Sequence, residues 1–455
     1  MSNLKSSEKR TLALETPAKI GKKVLLAGWI KTRRDHGKLI FLDLRDRSGI
    51  VQLVVSPKVS QSAYKKGQDL KPEYVIKVDG VIRERPAATI NKTLVTGKVE
   101  IEVEKIEIIS KAQNLPFDMG AEELNLELPT LLDNRSLSLR HPKISAIFKI
   151  QQTLAQSFRK TLREEDFTEI FVPTFVPSAT EGGAEVFSVD YYNHKAYLAQ
   201  SPQMYKQIMT SIFERVFTIA HAYRAEPSVT TRHLSEYVSL DVEFGFINSW
   251  EEIMELAEKV VLSMTQDVLE KNQKELKLFG VTLPEFKKSI PRIKMRDAQE
   301  IIFKRTKRDH RNEPDLDPFS EKEICKWAKE QTGAPFVFIT HYPTKKRPFY
   351  TMPDSNDPNY TLSFDLLGVS EEWVTGGQRI NDYEMLLGNI KKWGNKPENF
   401  EIYLQSFRYG MPPEGGFAMG LERITKDMLG LSNIREASLF PRDMERVDER
   451  FSAID

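Results

Sequence analysis

Five short segments in the first quarter of the chain carry the strongest structural signal, because apolar and polar residues alternate along them. The segments span 24–30, 39–44, 50–55, 74–82 and 99–109. Alternation with a period of two is typical of strands that bury one face. A stretch with helical character, residues 60–70, separates the third segment from the fourth. Five short strands with one helix after the third predict a small five-stranded Greek-key β-barrel.

The predicted barrel covers residues 15–111 and has the strand number and helix position of an OB-fold. Residues 1–14 predict a flexible tail. Residues 112–140 are rich in Leu, Asn and Pro without a clear period, and they predict a hinge. The hinge would join the barrel to the rest of the chain.

The remainder of the chain, residues 141–455, mixes strands with helices. It opens with a helix after Pro142, in which Leu154 and Phe158 recur at helical spacing. Strand-like segments follow at 169–176, 215–224, 237–246, 361–367 and 371–375. Helical stretches lie between them at irregular intervals, with a helical insertion at about 250–330. This order predicts an α+β domain on a mainly antiparallel sheet.

The single cysteine and the lack of long apolar runs exclude several classes of protein. Cys325 alone can form neither a disulfide framework nor a multi-cysteine zinc site, and it suits a reducing compartment. No apolar run reaches the ~20 residues needed to cross a bilayer. The first residues also lack the apolar block of a secretory signal. We therefore expect a cytoplasmic protein without a membrane partner.

Charge is distributed unevenly along the chain. Residues 1–112 hold 23 Lys and Arg against 13 Asp and Glu, a balance of +10, whereas the remaining 343 residues have a balance of −9. A basic end on an otherwise acidic chain is typical of a protein that docks a polyanion there. A solvated lysine-rich face would give the same count, so charge alone leaves both interpretations open.

The stretch 31–41 places several cations, including Arg34, close to the aromatic ring of Phe41. Single-stranded nucleic acid is held in this way, by cations along the phosphates and by a ring beneath an unstacked base. The alternative is that Phe41 is a core residue of its strand and that the cations face solvent.

Two further polar patterns lie in the second domain. Arg224 and Glu226 end one predicted strand, and a polar loop leads from them to a second strand with Tyr237. The guanidinium fork suits phosphate, although surface Arg–Glu pairs are common. Residues 415–423 form a glycine-rich strand that enters a helix. Their spacing fits neither a P-loop nor a dinucleotide-binding turn, but it would let a flat ligand lie against the backbone.

These features occur in the order found in class II aminoacyl-tRNA synthetases, and the chain resembles the aspartyl-tRNA synthetase family over nearly its whole length. Residues 167–173 resemble the first signature motif, which builds the dimer interface in that class. Residues 224–226 with 235–237 resemble the second motif, and 416–423 resemble the third. The resemblance implies an ATP-dependent ligase that joins L-aspartate to tRNA-Asp through an aspartyl-adenylate and acts as a homodimer. It leaves tRNA-Asn open as a second substrate.

The resemblance also implies roles at an ATP site. Arg224 would contact the α-phosphate, and Arg423 would lie over the adenine and reach the γ-phosphate, which makes these two arginines the catalytic pair. Glu372 and Thr375 would hold Mg²⁺, a cation that prefers oxygen ligands. The other implied contacts are Glu226 and Tyr237 at the adenine and Arg232 and His233 at the outer phosphates.

Choice of the amino acid would depend on two cations. The resemblance implies that Lys206 and Arg379 bind the β-carboxylate of aspartate together. This arrangement leaves the neutral amide of asparagine undercompensated, and removing one charge from such a desolvated arrangement costs ~3–5 kcal/mol. The α-ammonium group would be held by Glu181 and Asp241, with Gln203 alongside.

In the barrel, the resemblance implies that Phe41 stacks on the central anticodon base, a uridine. Arg34 and Gln52 would supply hydrogen bonds to that base.

Several positions depart from the pattern of the family. Ala418 stands where the third motif usually has Gly, Thr375 replaces a common Ser, and Glu414 stands where His is frequent in archaeal and eukaryotic members. The chain is also too short after Arg224 for the large insertion domain of typical bacterial members. The catalytic domain is therefore expected to be archaeal-like.

Three alternatives stay open. An asparaginyl-tRNA synthetase is disfavoured by Lys206, which such enzymes lack. An adenylate-forming asparagine synthetase-like paralogue is disfavoured by the predicted barrel, which such paralogues lack. A non-catalytic RNA-binding protein is disfavoured because Arg224, Glu372 and Arg423 are retained.

Overall fold

The structure is a computed structural model that describes residues 9–177, 185–227, 230–284 and 289–448. The chain divides into two compact units, residues 1–126 and residues 127–455. The division falls within the segment 112–140 that the sequence predicts as a hinge.

The first unit is a closed barrel of five strands, which confirms the predicted OB-type fold. The strand order is β1-β2-β3-β5-β4, and of these pairs only β3 and β5 run parallel. Helix α1 lies between β3 and β4, as predicted. The elements are β1 (Lys23–His36), β2 (Leu39–Arg45), β3 (Ile50–Val55), α1 (Gln61–Gln68), β4 (Val75–Glu84) and β5 (Val99–Ser110).

Residues 11–19, which precede β1, pack on the barrel rather than extending from it as a tail. Ala13 is buried in the barrel core, and its backbone N–H donates to Asp46 at 2.8 Å. The N–H of Thr11 donates to the carbonyl of Leu25 at 2.8 Å. The ordered barrel unit therefore begins before residue 15, and the predicted tail overlaps it.

In its described part, the second unit is built on a sheet of eight strands in the order β12-β13-β14-β15-β16-β11-β10-β6. The outermost pairs β12–β13 and β6–β10 are parallel, and the five pairs between them are antiparallel. This confirms the predicted α+β domain on a mainly antiparallel sheet. The strands are β6 (Thr168–Glu169), β10 (Arg215–Tyr223), β11 (Glu236–Gly245), β12 (Arg292–Lys294), β13 (Val337–Thr340), β14 (Ser363–Gly368), β15 (Glu371–Gln378) and β16 (Glu414–Gly420).

A three-stranded sheet in the order β7-β9-β8 and a set of helices complete the unit. The small sheet consists of β7 (Phe175–Val176), β8 (Ser188–Tyr191) and β9 (His194–Leu198). The helices are α2 (Leu128–Asp133), α3 (Arg135–Ser138), α4 (Pro142–Glu164), α5 (Gln203–Phe213), α6 (Glu251–Lys271), α7 (Gln273–Phe279), α8 (Met295–Thr306), α9 (Pro318–Thr332), α10 (Tyr383–Lys392), α11 (Glu401–Arg408) and α12 (Leu421–Leu429). None of the helices in the described ranges is long and apolar enough to cross a membrane.

The large sheet has one apolar and one polar face, because its strands alternate. On β11, Leu240 and Val242 belong to the main apolar core, which α4 and α6 also join. The intervening side chains of Asp241 and Glu243 lie on the opposite face. The sheet thus buries its apolar face under helices and keeps a polar face for a ligand.

The segment predicted as a helical insertion divides between two cores. Helix α6 is part of the main core through residues such as Ile253 and Val260. Helices α8 and α9 instead form a separate apolar cluster with β13, in which Cys325 is buried.

Candidate active site

A cavity of about 430 Å³ opens on the polar face of the large sheet. Strands β11, β14, β15 and β16 supply its floor, and α5, α12 and the loop before β11 supply its walls. It contains most of the residues that the sequence assigns to ATP, aspartate and Mg²⁺. Among the residues that line it are Lys206, Arg224, Tyr237, Glu372, Arg379 and Arg423.

At one end of the cavity, Lys206 and Arg379 meet at a single carboxylate, that of Glu243. Lys206 Nζ lies 3.1 Å from Glu243 Oε2, and Arg379 Nε donates to Glu243 Oε1 at 2.7 Å. The Lys206 and Glu243 side chains are 1% and 0% exposed. Two cations from separate parts of the chain therefore lie close together at one buried carboxylate; that they also bind the substrate carboxylate stays a prediction.

The charges at this end of the cavity balance. Lys206 Nζ also donates to Asp241 Oδ1 at 3.0 Å, so two carboxylates face two cations. Burial alone would raise the pKa of Glu243, but Arg379 and Lys206 outweigh it and hold this pKa below its usual range. Gln203 also donates to Glu243, at 3.4 Å. Glu181, the other residue assigned to the α-ammonium group, lies outside the described residues.

Glu414 lies fully buried behind these charges. Burial, and then the charge of Glu243, raise the pKa of Glu414 well above its usual value. Gln207 donates to Glu414 Oε1 at 2.7 Å, and no described residue hydrogen-bonds to Oε2.

The residues assigned to ATP lie toward the other end. The Arg224 guanidinium is 5.5 Å from the ring centre of Tyr237, and Arg423 Nη1 is 3.2 Å from Glu372 Oε1. Ala418 and Gly420 of β16 present a floor of small residues beside them. A flat base has room beside Ala418 and Gly420, because neither residue has a long side chain.

Glu226 and Arg232 are engaged differently from what their assigned roles suggest. Glu226 is not among the residues that line the cavity, and its carboxylate lies 3.8 Å from Arg224 and 3.5 Å from His233 Nε2. Arg232 does line the cavity, but two carboxylates hold it, those of Glu321 at 2.6 Å and Glu371 at 2.8 Å. Burial lowers the pKa of His233.

Glu372 and Thr375 lie near a third oxygen-bearing side chain, that of Asp365. Burial, and then the charge of Asp365, raise the pKa of Glu372 against the opposing effect of Arg423. Asp365 Oδ1 is buried and has no hydrogen-bond partner among the described residues. Arg347 donates to Thr375 Oγ1 at 3.1 Å and to Asp365 Oδ2 at 2.8 Å. Crowded carboxylates with an unsatisfied oxygen fit a hard divalent cation, although no described cluster of three or more acidic, His or Cys side chains has the geometry of a metal site.

In the barrel, the three residues assigned to the anticodon lie together on the outer face. Arg34 pairs with Phe41 in register, and its Nη2 lies 3.4 Å from Gln52 Oε1. Gln52 Nε2 in turn donates to Glu100 at 3.0 Å. Phe41 is half-exposed whereas its neighbours Ile40 and Leu42 are buried. The interpretation of Phe41 as a core residue is therefore wrong.

Several site residues were missed by the sequence analysis. The signal for Glu243 was present, because Asp241 and Glu243 alternate on one strand and so share a face. Asp365 and Glu321 had no such signal, since each meets its partners only through sheet pairing or helix packing far along the chain.

Comparisons with known proteins agree with this geometry. The family model described as "tRNA synthetases class II (D, K and N)" matches residues 127–444, and the one described as "OB-fold nucleic acid binding domain" matches residues 24–109. A barrel for nucleic acid followed by this catalytic fold defines a class II aminoacyl-tRNA synthetase.

Individual relatives narrow the class. The chain is 42% identical to the aspartate–tRNA(Asp/Asn) ligase of Thermus thermophilus, over 96% of this chain and 99% of that protein. It is also 42% identical to the aspartate–tRNA(Asp) ligase of Pyrococcus abyssi, over 94% and 96%. The chain belongs to the aspartyl-tRNA synthetase family, in its archaeal-like form without the large insertion.

The fold alone does not separate this family from its neighbour. The crystal structure of the asparaginyl-tRNA synthetase from Pyrococcus horikoshii, with asparaginyl-adenylate, matches with a TM-score of 0.86 and 33% identity, and covers 96% of this chain and 99% of that one. The distinction between acid and amide therefore depends on the pocket residues.

Proposed function

We propose that the protein activates L-aspartate with ATP and transfers it to tRNA-Asp. The observation that carries this proposal is the meeting of Lys206 and Arg379 at Glu243, in the cavity that also contains Arg224 and Glu372. Family membership supports the reaction class, and the two buried cations support the choice of an acidic amino acid. The cytoplasm, where tRNA is charged, is the expected location.

The hydrogen-bond donors of Lys206 and Arg379 are oriented by contacts within the protein. An ammonium group has three N–H bonds and a guanidinium group five. In the described part of the chain, Lys206 uses two of its bonds on Asp241 and Glu243, and Arg379 uses Nε and Nη2 on Glu243 and the Gly416 carbonyl. The remaining N–H groups of Lys206 and Arg379 can donate to a second carboxylate, the β-carboxylate of the substrate aspartate.

The reaction follows in two steps. The α-carboxylate of aspartate attacks the α-phosphorus of ATP, which releases pyrophosphate and gives the mixed anhydride. The 3′-terminal hydroxyl of tRNA then attacks the aspartyl carbonyl, and AMP leaves. Arg224 stabilises charge that builds on the α-phosphate, and Arg423 holds the nucleotide, so catalysis depends on positioning and electrostatics.

Glu372 and Thr375, with Asp365 beside them, would hold Mg²⁺. When bound, this ion neutralises the triphosphate. Within the chain, Arg347 orients the Thr375 hydroxyl and the Asp365 carboxylate.

Charging of purified tRNA-Asp and tRNA-Asn with labelled aspartate tests the proposal. We expect aspartyl-tRNA-Asp to form. The result with tRNA-Asn decides whether the protein also attaches aspartate to tRNA-Asn, as the names of its Asp/Asn relatives indicate for those proteins. The proposal would be contradicted if neither tRNA were charged with aspartate.

We further propose that Phe41 stacks on an anticodon base. Phe41→Ala should raise the Michaelis constant for tRNA about tenfold, since a base–aromatic stack is worth ~1–3 kcal/mol. Aspartate-dependent exchange without tRNA should not change, because the barrel takes no part in it. Ile109→Ala, at an exposed apolar residue of β5, is the control. Unchanged tRNA kinetics in Phe41→Ala would refute this role.

We also propose that two copies of the chain associate through the first signature motif. Phe171 is 85% exposed and Tyr192 88% exposed, and the rings of Phe175, Tyr191 and Tyr192 contact one another in series. Exposed apolar side chains such as these are typical of an interface.

Phe171→Lys should therefore convert a dimer into a monomer in sedimentation equilibrium. Ile402→Lys, which changes an exposed residue of α11, should leave the dimer intact. A wild-type monomer, or a Phe171→Lys dimer of unchanged affinity, would contradict the assignment.

A further inference from the structure

Arg232 lies at the junction of three parts of the catalytic unit. The residue itself belongs to the loop before β11. Its Nε donates to Glu371 Oε2 on β15 at 2.8 Å, and its Nη2 donates to Glu321 Oε2 on α9 at 2.6 Å. Glu321 lies outside all three signature motifs, and the resemblance to the family implies no role for it.

The contact extends into an alternating row of charges. Lys426 of α12 donates to the second oxygen of Glu371 at 2.7 Å. The row Glu321, Arg232, Glu371 and Lys426 thus joins a helix, a loop, a strand and a second helix. The four side chains are only 4–22% exposed, so their interactions are screened little by solvent.

The Glu321 contact differs from ordinary ion pairs of the same helix. Burial raises the pKa of Glu321 to about 7, although Arg232 opposes this shift. By contrast, Glu330 of α9 pairs with Arg305 while 54% exposed, where such a pair contributes little. Burying a carboxylate costs desolvation free energy, which only a close, oppositely charged partner offsets.

The planar geometry of the Arg232 guanidinium explains how its two carboxylate partners fix its orientation. Its five N–H bonds lie in one plane. Carboxylates on Nε and Nη2 fix this plane, and Arg232 is among the residues that line the cavity. Two fixed contacts leave the planar group no free rotation, so the direction of its remaining donors is set before a ligand arrives.

We propose that Glu321 is a positioning residue for ATP, which together with Glu371 orients Arg232 toward the outer phosphates. This inference rests on the proposed function, because it takes ATP as the ligand of the cavity. The chemical feature recognised is the terminal phosphate oxygens of the nucleotide. Helix α9 thereby contributes to substrate binding without touching the substrate.

Aspartate-dependent ATP–pyrophosphate exchange by the full chain tests the inference. Glu321→Ala should raise the KM for ATP about tenfold, with kcat and the KM for aspartate changed less than about twofold, because only ground-state orientation toward ATP is lost. Glu321→Gln, which keeps an acceptor for Arg232, should give a smaller increase and serves if the alanine variant does not fold. Glu330→Ala is the matched control on the same helix.

A double-mutant cycle separates positioning from general stabilisation. If Glu321 acts through Arg232, adding Glu321→Ala to Arg232→Ala should not raise the KM for ATP further. Additive effects, or an unchanged KM in both Glu321 variants, would overturn the inference. A lower KM would also overturn it, because Glu321 would then compete with phosphate for Arg232. Absence of wild-type exchange would instead refute the proposed function.

Discussion

Lys206→Met is expected to abolish aspartate activation, with kcat/KM for aspartate in ATP–pyrophosphate exchange lowered at least about 100-fold. The substitution removes one of the two cations that meet at Glu243. It also leaves Asp241 and Glu243 with only Arg379 to compensate them. Breaking a buried ion pair in this way costs ~3–5 kcal/mol, and the substrate carboxylate would now approach a site with net negative charge.

The loss of activity can be separated from loss of folding. The double variant Lys206→Met with Glu243→Gln restores the balance of charge, so it should regain thermal stability but not aspartate activation. Lys259→Met, which removes the cation of an exposed ion pair on α6, should behave as wild type. Binding of tRNA should persist in all three variants. Normal aspartate kinetics in Lys206→Met would refute its role.

Arg224→Ala is expected to lower kcat for adenylate formation by ~10²–10³-fold, the typical cost of removing one group that stabilises transition-state charge. Since the Arg224 side chain is 44% exposed and its ion pair with Glu226 spans 3.8 Å, the pair contributes little to stability and the melting temperature should change little. Single-turnover formation of aspartyl-adenylate, monitored with labelled ATP, measures the effect.

The conservative variant sharpens this prediction. Arg224→Lys keeps the charge but not the bidentate fork, so its kcat should lie between wild type and Arg224→Ala. An Arg224→Ala enzyme that forms adenylate at the normal rate would show that this arginine has no part in the chemical step.

Much of the fold could be predicted from local patterns. Ile40, Leu42 and Leu44 alternate with half-exposed neighbours on β2, and a closed barrel is the simplest way to bury five such strands. The same alternation on β11 predicts that Asp241 faces away from the core that contains Leu240 and Val242. Side chains whose direction follows from a strand's period are accessible to sequence reasoning.

The remaining features depend on contacts between distant parts of the chain. Glu243 joins Lys206 to Arg379 only because β15 and β11 both pair with β16. Arg232 reaches Glu321 and Glu371 across 89 and 139 residues. The segment 9–14 has too few apolar residues to predict a strand or a helix, yet Ala13 is buried in the barrel core. No local period encodes such partners.

The pocket also explains why a fold shared with an asparaginyl-tRNA synthetase does not determine whether aspartate or asparagine is the substrate. Backbone similarity extends over both families, whereas discrimination between a carboxylate and an amide depends on the charges of a few buried groups. In this chain those groups include the buried cations Lys206 and Arg379, and both of them line the cavity.

The preference between aspartate and asparagine in ATP–pyrophosphate exchange tests this most directly. With wild-type protein, Mg²⁺ and ATP, aspartate should support exchange with a kcat/KM at least about 100-fold above that of asparagine. Preference for asparagine, or no exchange with either amino acid, would contradict the assignment of two paired cations to a substrate carboxylate.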